Sequence, residues 1–183
     1  MGSMQAALKP ITHKCFGDAA VDVKSKVNIA KSLLLSRGLF SASTWAGLTA
    51  AESKLVHSRV MSVYRSATAT HYKEVNLAVS DQELITRFVL MAPTTLIRLA
   101  RITLLIRMLQ HANQYFLKCV FAARRANRSW FATVAVDLAW LHVVDSLQDK
   151  PSFGSSASWG VNEWCVQFLL NPKVAKQKGE IGL

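Results

Sequence analysis

Apolar positions along the chain recur at helical spacing. Val23, Val27, Ala30 and Leu34 stand three or four residues apart, and the run from Leu84 to Leu109 is apolar on most of its circumference. No segment alternates strictly between apolar and polar residues, and no Asn-Gly or Asp-Gly turn is present, so hairpins have no signal. The punctuation is that of helices. Asp18 can cap a helix through "AAVDVKSKVNIAKSLLLSR", with Gly38 following as its C′ residue. Thr49 with Glu52, and Ser80 with Glu83, have the spacing of capping boxes. The first opens "AAESKLVHSRVMSVYRSA", with Leu55, Val56, Met61, Val63 and Tyr64 as core candidates; the second opens "DQELITRFVLMA". Pro93 breaks the chain and "TTLIRLARITLLIRMLQHA" starts a new helix. Asn113 is placed to cap "QYFLKCVFAARRAN", another helix follows from Trp130 to Leu147, and a short one around "VNEWCVQFLL" stops at Pro172. The pattern predicts an all-α fold, an irregular bundle of about six to eight helices without a fixed-period repeat.

The same punctuation predicts the organisation. The bundle covers residues 18–150. Before it lies an N-terminal arm, residues 1–17, whose opening "MGSM" has the look of a cloning scar over its first three residues. After it come a loop and short helix over 151–172 and a polar, mobile tail over 173–183.

Charge changes the picture. Hydrophobic residues make up 51% of the chain and charged ones only 18%, yet 22 Lys and Arg face 11 Asp and Glu, a net charge of +11. A chain both apolar and basic suits a position against something acidic, such as nucleic acid or an anionic surface. It does not suit a membrane span. The run from Leu84 to Leu109 carries Arg87, Arg98, Arg101 and Arg107, each costing about 2.5–3.5 kcal/mol near a bilayer centre. The other apolar run, residues 130–144, is too short to cross and contains Asp137 and His142. Both read as buried helices. The three cysteines, Cys15, Cys119 and Cys165, form no C-x-x-C, so neither zinc nor redox chemistry is indicated, and the odd count fits a reducing, intracellular compartment. No secretory signal is visible, and no metal or cofactor is implied.

The segment "RLARITLLIRML" (98–109) concentrates the question. On a helix, Arg98 and Arg101 fall within about 60° of each other, and Arg107 falls nearly opposite Arg98. The arginines therefore form two narrow stripes between apolar faces. Between Glu83 and Asp137 there is no acid at all, while Arg87, Arg98, Arg101, Arg107, Lys118, Arg124, Arg125 and Arg128 fall in that stretch. These charges need water, distant acids or an external polyanion. The piece "AARRANRSW" places Arg124, Arg125 and Arg128 beside Trp130, and arginine suits phosphate through its planar fork. Trp130 itself reads as the first core residue of the next helix.

The run "DVKSKVNIAKSLLLSRGLFSASTWAGLTAAESKLVHSRVMSVYRSA" resembles the region just after the catalytic palm of non-LTR retrotransposon reverse transcriptases. The matching positions are Val23 to Ala30, Trp45, Leu48, Thr49, Glu52, Leu55 and Tyr64-Arg65. The run "SDQELITRFVLMAPTTLIRLARITLLIRML" is similar to the family's next, downstream segment. The resemblance spans residues 18 to 112. It implies a helical thumb and linker that grip a template–primer duplex by its backbone, a role that falls on Lys24, Lys26, Lys31, Arg98 and Arg101. The departures are large. The chain has no adjacent Asp-Asp pair for two metal ions, no endonuclease and no Cys/His knuckle, so it is not expected to polymerise.

Other enzyme motifs are missing as well: no G-x-S-x-G, P-loop, G-x-G-x-x-G or H-E-x-x-H occurs. His57, in "KLVHS", reads as a surface or core histidine. Two expectations stand. One is a non-catalytic module that binds the DNA or RNA backbone through Lys24, Lys26, Lys31, Arg98, Arg101, Arg107, Arg124, Arg125 and Arg128, with a nuclear location. The other is an all-helical structural subunit that buries apolar surface, including Trp140, Trp159, Trp164, Phe131 and Phe168, against partner proteins. A binder gathers its cations on one face; a subunit presents a large apolar one.

Overall fold

The structure, a computed structural model, describes residues 2–70, 79–122, 129–146 and 160–171. The all-α class holds: the elements are helices, with no strand among the described residues. No helix among them is long and apolar enough to cross a membrane. The chain divides into two compact units, Met1–Phe40 with Thr49–Leu96, and Ser41–Leu48 with Ile97–Leu183. One of the three crossings, between Leu96 and Ile97, falls inside a helix.

The first unit begins with α1 (Gly2–Ile11), which runs on through a π-helical turn, Thr12–Phe16, so the stretch expected as an arm is helical. α2 (Val23–Ile29) is capped by Asp22, whose carboxylate accepts from the Ser25 N–H. Asp18 instead accepts from the Ala20 N–H in a local turn, four residues too early to start this helix. α2 continues through a π-helical stretch, Ala30–Leu35, into α3 (Ser36–Gly38). Gly38 is thus buried in the last turn, and Leu39 takes the C-cap position. α4 (Ala50–Ala67) opens with the capping box foreseen from its sequence: Thr49 Oγ1 accepts from the Glu52 N–H while the Glu52 carboxylate accepts from the Thr49 N–H. It packs on α2 and on both π-helical stretches. Val27, Ala30, Leu34, Val60, Met61, Val63 and Tyr64 are buried, whereas Leu55 faces solvent. The Tyr64 hydroxyl donates to the Met91 carbonyl, and burial pushes its pKa up to about 12.

α5 (Asp81–Arg87) starts at Ser80, whose hydroxyl accepts from the Glu83 N–H. It stops five residues before the apolar pattern does. The Leu90 N–H reaches back to the Ile85 carbonyl and the Val89 N–H to that of Thr86, the two bonds of a Schellman turn. The turn forces Val89 to φ 50°, a conformation that favours glycine. Ala69 (φ 56°) ends α4 in the same way. Pro93 then disfavours helix at Ala92 and takes the first position of α6 (Pro93–His111).

The second unit contains most of α6, then α7 (Gln114–Ala122), α8 (Trp130–Ser146) and α9 (Val161–Leu170). Asn113 caps α7 as expected, its side chain accepting from the Phe116 N–H. Ile102, Leu105, Ile106 and Leu109 of α6 pack with Phe131, Val134, Leu138 and Leu141 of α8 and with Trp164, Cys165 and Phe168 of α9. Phe121 meets Phe131 edge to face at 5.0 Å. Trp130 packs on this core, and its indole N–H donates to the Ser43 carbonyl at 2.6 Å. Burial raises the Cys165 thiol to about 11, so it is a packing residue rather than a nucleophile.

Two stability measurements test these contacts. Ile102→Ala should cost about 2–5 kcal/mol in chemical denaturation, because Ile102 has no exposed surface; a loss near zero would place α6 outside the core. Val89 is 86% exposed, so Val89→Gly removes little packing. Relief of the left-handed strain, about 1–2 kcal/mol, outweighs the added freedom of the unfolded chain, leaving a gain of about 0.5–1 kcal/mol.

Candidate functional site

In the second unit the acid-free stretch finds its acid. Asp137 points from α8 toward α6 and is 1% exposed. Arg101 meets it with both ends of its fork: Nε donates to Oδ2 at 2.5 Å and Nη2 to Oδ1 at 3.0 Å. Two parallel charge-assisted bonds satisfy both oxygens of this buried carboxylate. Arg98, one turn earlier on the same face, brings its Nε to 3.6 Å from Asp137 Oδ1. Its guanidinium also lies over the Trp140 ring, 5.2 Å from the centroid. Two arginines therefore share one carboxylate, with Arg101 buried and the Arg98 side chain 32% exposed.

The first unit holds a second polar cluster. His57 Nε2 lies 2.8 Å from Asp81 Oδ2, and Arg65 Nη2 donates to Asp81 Oδ1 at 2.5 Å and to the Val79 carbonyl at 2.9 Å. Arg65 is buried on α4, and Nη1 reaches the Thr70 carbonyl, so this one side chain ties the end of α4 to the start of α5. Partial burial pushes the Asp81 carboxyl up, but the bonds from His57 and Arg65 and the nearby Arg65 charge outweigh it and hold it below its ordinary 3.8. Beside the cluster is a groove of about 320 Å³ lined by Lys54, His57, Ser58, Met61, Ser62, Arg65 and Asp81. Among the described residues no three His, Cys, Asp or Glu side chains are grouped to hold a metal ion.

The described cations among those expected to form one interface come from both units. Lys24 is exposed on α2, Lys31 is half-buried, and Lys26 is buried, as is the neighbouring Val27. Arg98 and Arg101 share a face, as their spacing predicts, but that face is turned to Asp137. Arg107 is exposed. Arg124, Arg125 and Arg128 lie outside the described residues. The aromatic residues expected to cover a partner are largely internal: Phe131, Trp164 and Phe168 are in the core, Trp140 packs against it, and Trp159 lies outside the described residues. Neither the Arg65–Asp81 nor the Arg101–Asp137 pairing has a local sequence signal, since their members stand 16 and 36 residues apart.

Comparison of the chain with protein-family models, curated proteins and solved structures finds no match in any of the three.

Removing one partner of the buried pair should be severe. Arg101→Met should cost about 3 kcal/mol, because Arg98 is close enough to turn to Asp137; Asp137→Asn should cost more, about 3–5 kcal/mol, because it leaves two arginines without their acid. The double change Arg101→Met with Asp137→Leu should recover most of that loss, and a double variant as unstable as the sum would refute the pairing's role. Asp81 sets a pH dependence. A carboxyl depressed in the folded state stabilises above its unfolded value, and that contribution disappears as pH falls through the folded value. The stability of the wild type should therefore decline below about pH 4, and Asp81→Asn should flatten that limb in denaturant titrations.

Proposed function

We propose that this chain is a non-catalytic helical module that works by packing against another protein through the outer side of its second unit. The observation that carries this reading is α8. Its inner face holds Val134, Asp137, Leu138 and Leu141 in the core, yet its outer face is also apolar. Val136 is 62% and Val143 54% exposed, and Ala139 between them is exposed too. A helix apolar all round belongs in an interior. α9 repeats the arrangement, with Trp164, Cys165 and Phe168 inward and Val166, Leu169 and Leu170 outward. Photo-cross-linking from position 136 should yield a discrete, nuclease-resistant protein adduct, while the same probe at exposed Gln110 should not. Adducts formed equally from both positions, or with nucleic acid, would refute the reading.

A second reading, binding to a nucleic-acid backbone, rests on the charge of +11 and on the resemblance to the reverse-transcriptase thumb. Internal pairing does not alter the net charge, so it leaves that surplus intact. Exposed Lys24 and Arg107 belong to it, whereas buried Lys26 and Arg101 do not reach an external phosphate. If about four to six phosphates are contacted, log K on duplex DNA falls with log salt at a slope near −3.5 to −5.5. Neutralising Lys24 and Arg107 together should then reduce the slope by about two units. No binding at about 50 mM salt would remove this reading.

A further inference from the structure

The surplus arginine beside the apolar face of α8 specifies the chemistry of what covers that face. On a helix turning about 100° per residue, Trp140 stands about 60° from Asp137 and within about 60° of Val136 and Val143. It lies on the border between the buried and the exposed sides of α8. Arg98 lies over Trp140, so its guanidinium marks the same border. Asp137 already receives two bonds from Arg101, and Arg98 approaches it only at 3.6 Å. Among the described residues, one positive charge, on a side chain 32% exposed, is thus left over at the edge of the stripe formed by Val136, Ala139 and Val143. Burying that edge without a counter-charge is costly.

We infer that the occupant of this face is an amphipathic helix that lays apolar side chains along Val136, Ala139 and Val143 and sets an Asp or Glu carboxylate against Arg98. The inference rests on the protein-packing reading above and adds the partner's charge and register. A helix fits because the stripe recurs at i, i+3 and i+7, the spacing of helix-in-groove anchors. A carboxylate fits better than a polyanion because α8, the helix that forms the stripe, carries no Lys or Arg. The paired carboxylate would complete a two-arginine, two-acid cluster.

A displayed library of amphipathic helices, about 18 residues long with a constant apolar face and randomised polar positions, tests this against the full chain. Selection on the wild type should enrich Asp or Glu at one register. Selection on Arg98→Met, which keeps most of the stem over Trp140, should lose that preference, and Arg98→Glu should shift it to Lys or Arg where that variant folds. For a single selected helix, exchanging its acid for Lys should weaken binding about three- to tenfold on the wild type and leave Arg98→Met unaffected. Enriched helices without a charge preference at any register would overturn the inference while keeping the packing reading. No enrichment above an α8 variant with Val136→Lys and Val143→Lys would overturn both. Self-association of the wild type that vanishes in that double variant would assign the face to a second copy and count against a separate helix, and displacement of the selected helix by duplex DNA would assign Arg98 to phosphate.

Discussion

One buried carboxylate organises the second unit. Asp137 is 1% exposed on α8, a helix whose Val134, Leu138 and Leu141 belong to the apolar core, and a carboxylate buried there without hydrogen-bond partners would be costly. Arg101 answers it with a two-pronged bond, and that geometry fixes the rotation of α6 about its axis relative to α8. Sliding either helix by one residue would carry the fork off the carboxylate, whereas apolar side chains alone tolerate such slips. The pair contributes register more than net stability, since the desolvation of both ions offsets much of their attraction.

The same arrangement explains why an arginine-rich helix can be a core helix. Arg98 and Arg101 lie on one face because they are three residues apart, and both turn toward the acid that the opposite helix supplies. Arg107, on the other side, remains in solvent. The first unit follows the same logic with Arg65, whose buried guanidinium meets Asp81 and two backbone carbonyls. In each unit an arginine acts as an internal tie. Cations counted as ligands for an external phosphate are therefore divided between interior and surface, and the outward apolar faces of α8 and α9 become the more distinctive surface.

Helix identity was legible because it depends on neighbours in the chain. Capping by Thr49, Ser80 and Asn113 follows from side chains that accept from backbone N–H groups three residues on, and the break at Pro93 follows from the ring's clash with helix at the residue before it. Helix ends were less legible. Asp22 competed with Asp18 for the same role, and Val89 entered a left-handed turn that its residue type disfavours. Tertiary packing of Leu84 and Leu90 on either side holds that turn against its local cost.

By itself, then, the order of residues determined the helical class, most helix starts, the placing of Arg98 and Arg101 on one face, and the surplus of positive charge. These depend on spacing and composition alone. Which charges face inward was decided only by the folded chain. A carboxylate 36 residues from Arg101 and another 16 residues from Arg65 become neighbours when helices pack, and nothing in the local pattern distinguishes a partner from a bystander. The two-sided character of α8 was decided there as well. Its apolar residues cover the whole circumference, so periodicity cannot say which side meets the core; the position of Asp137 opposite Arg101 does.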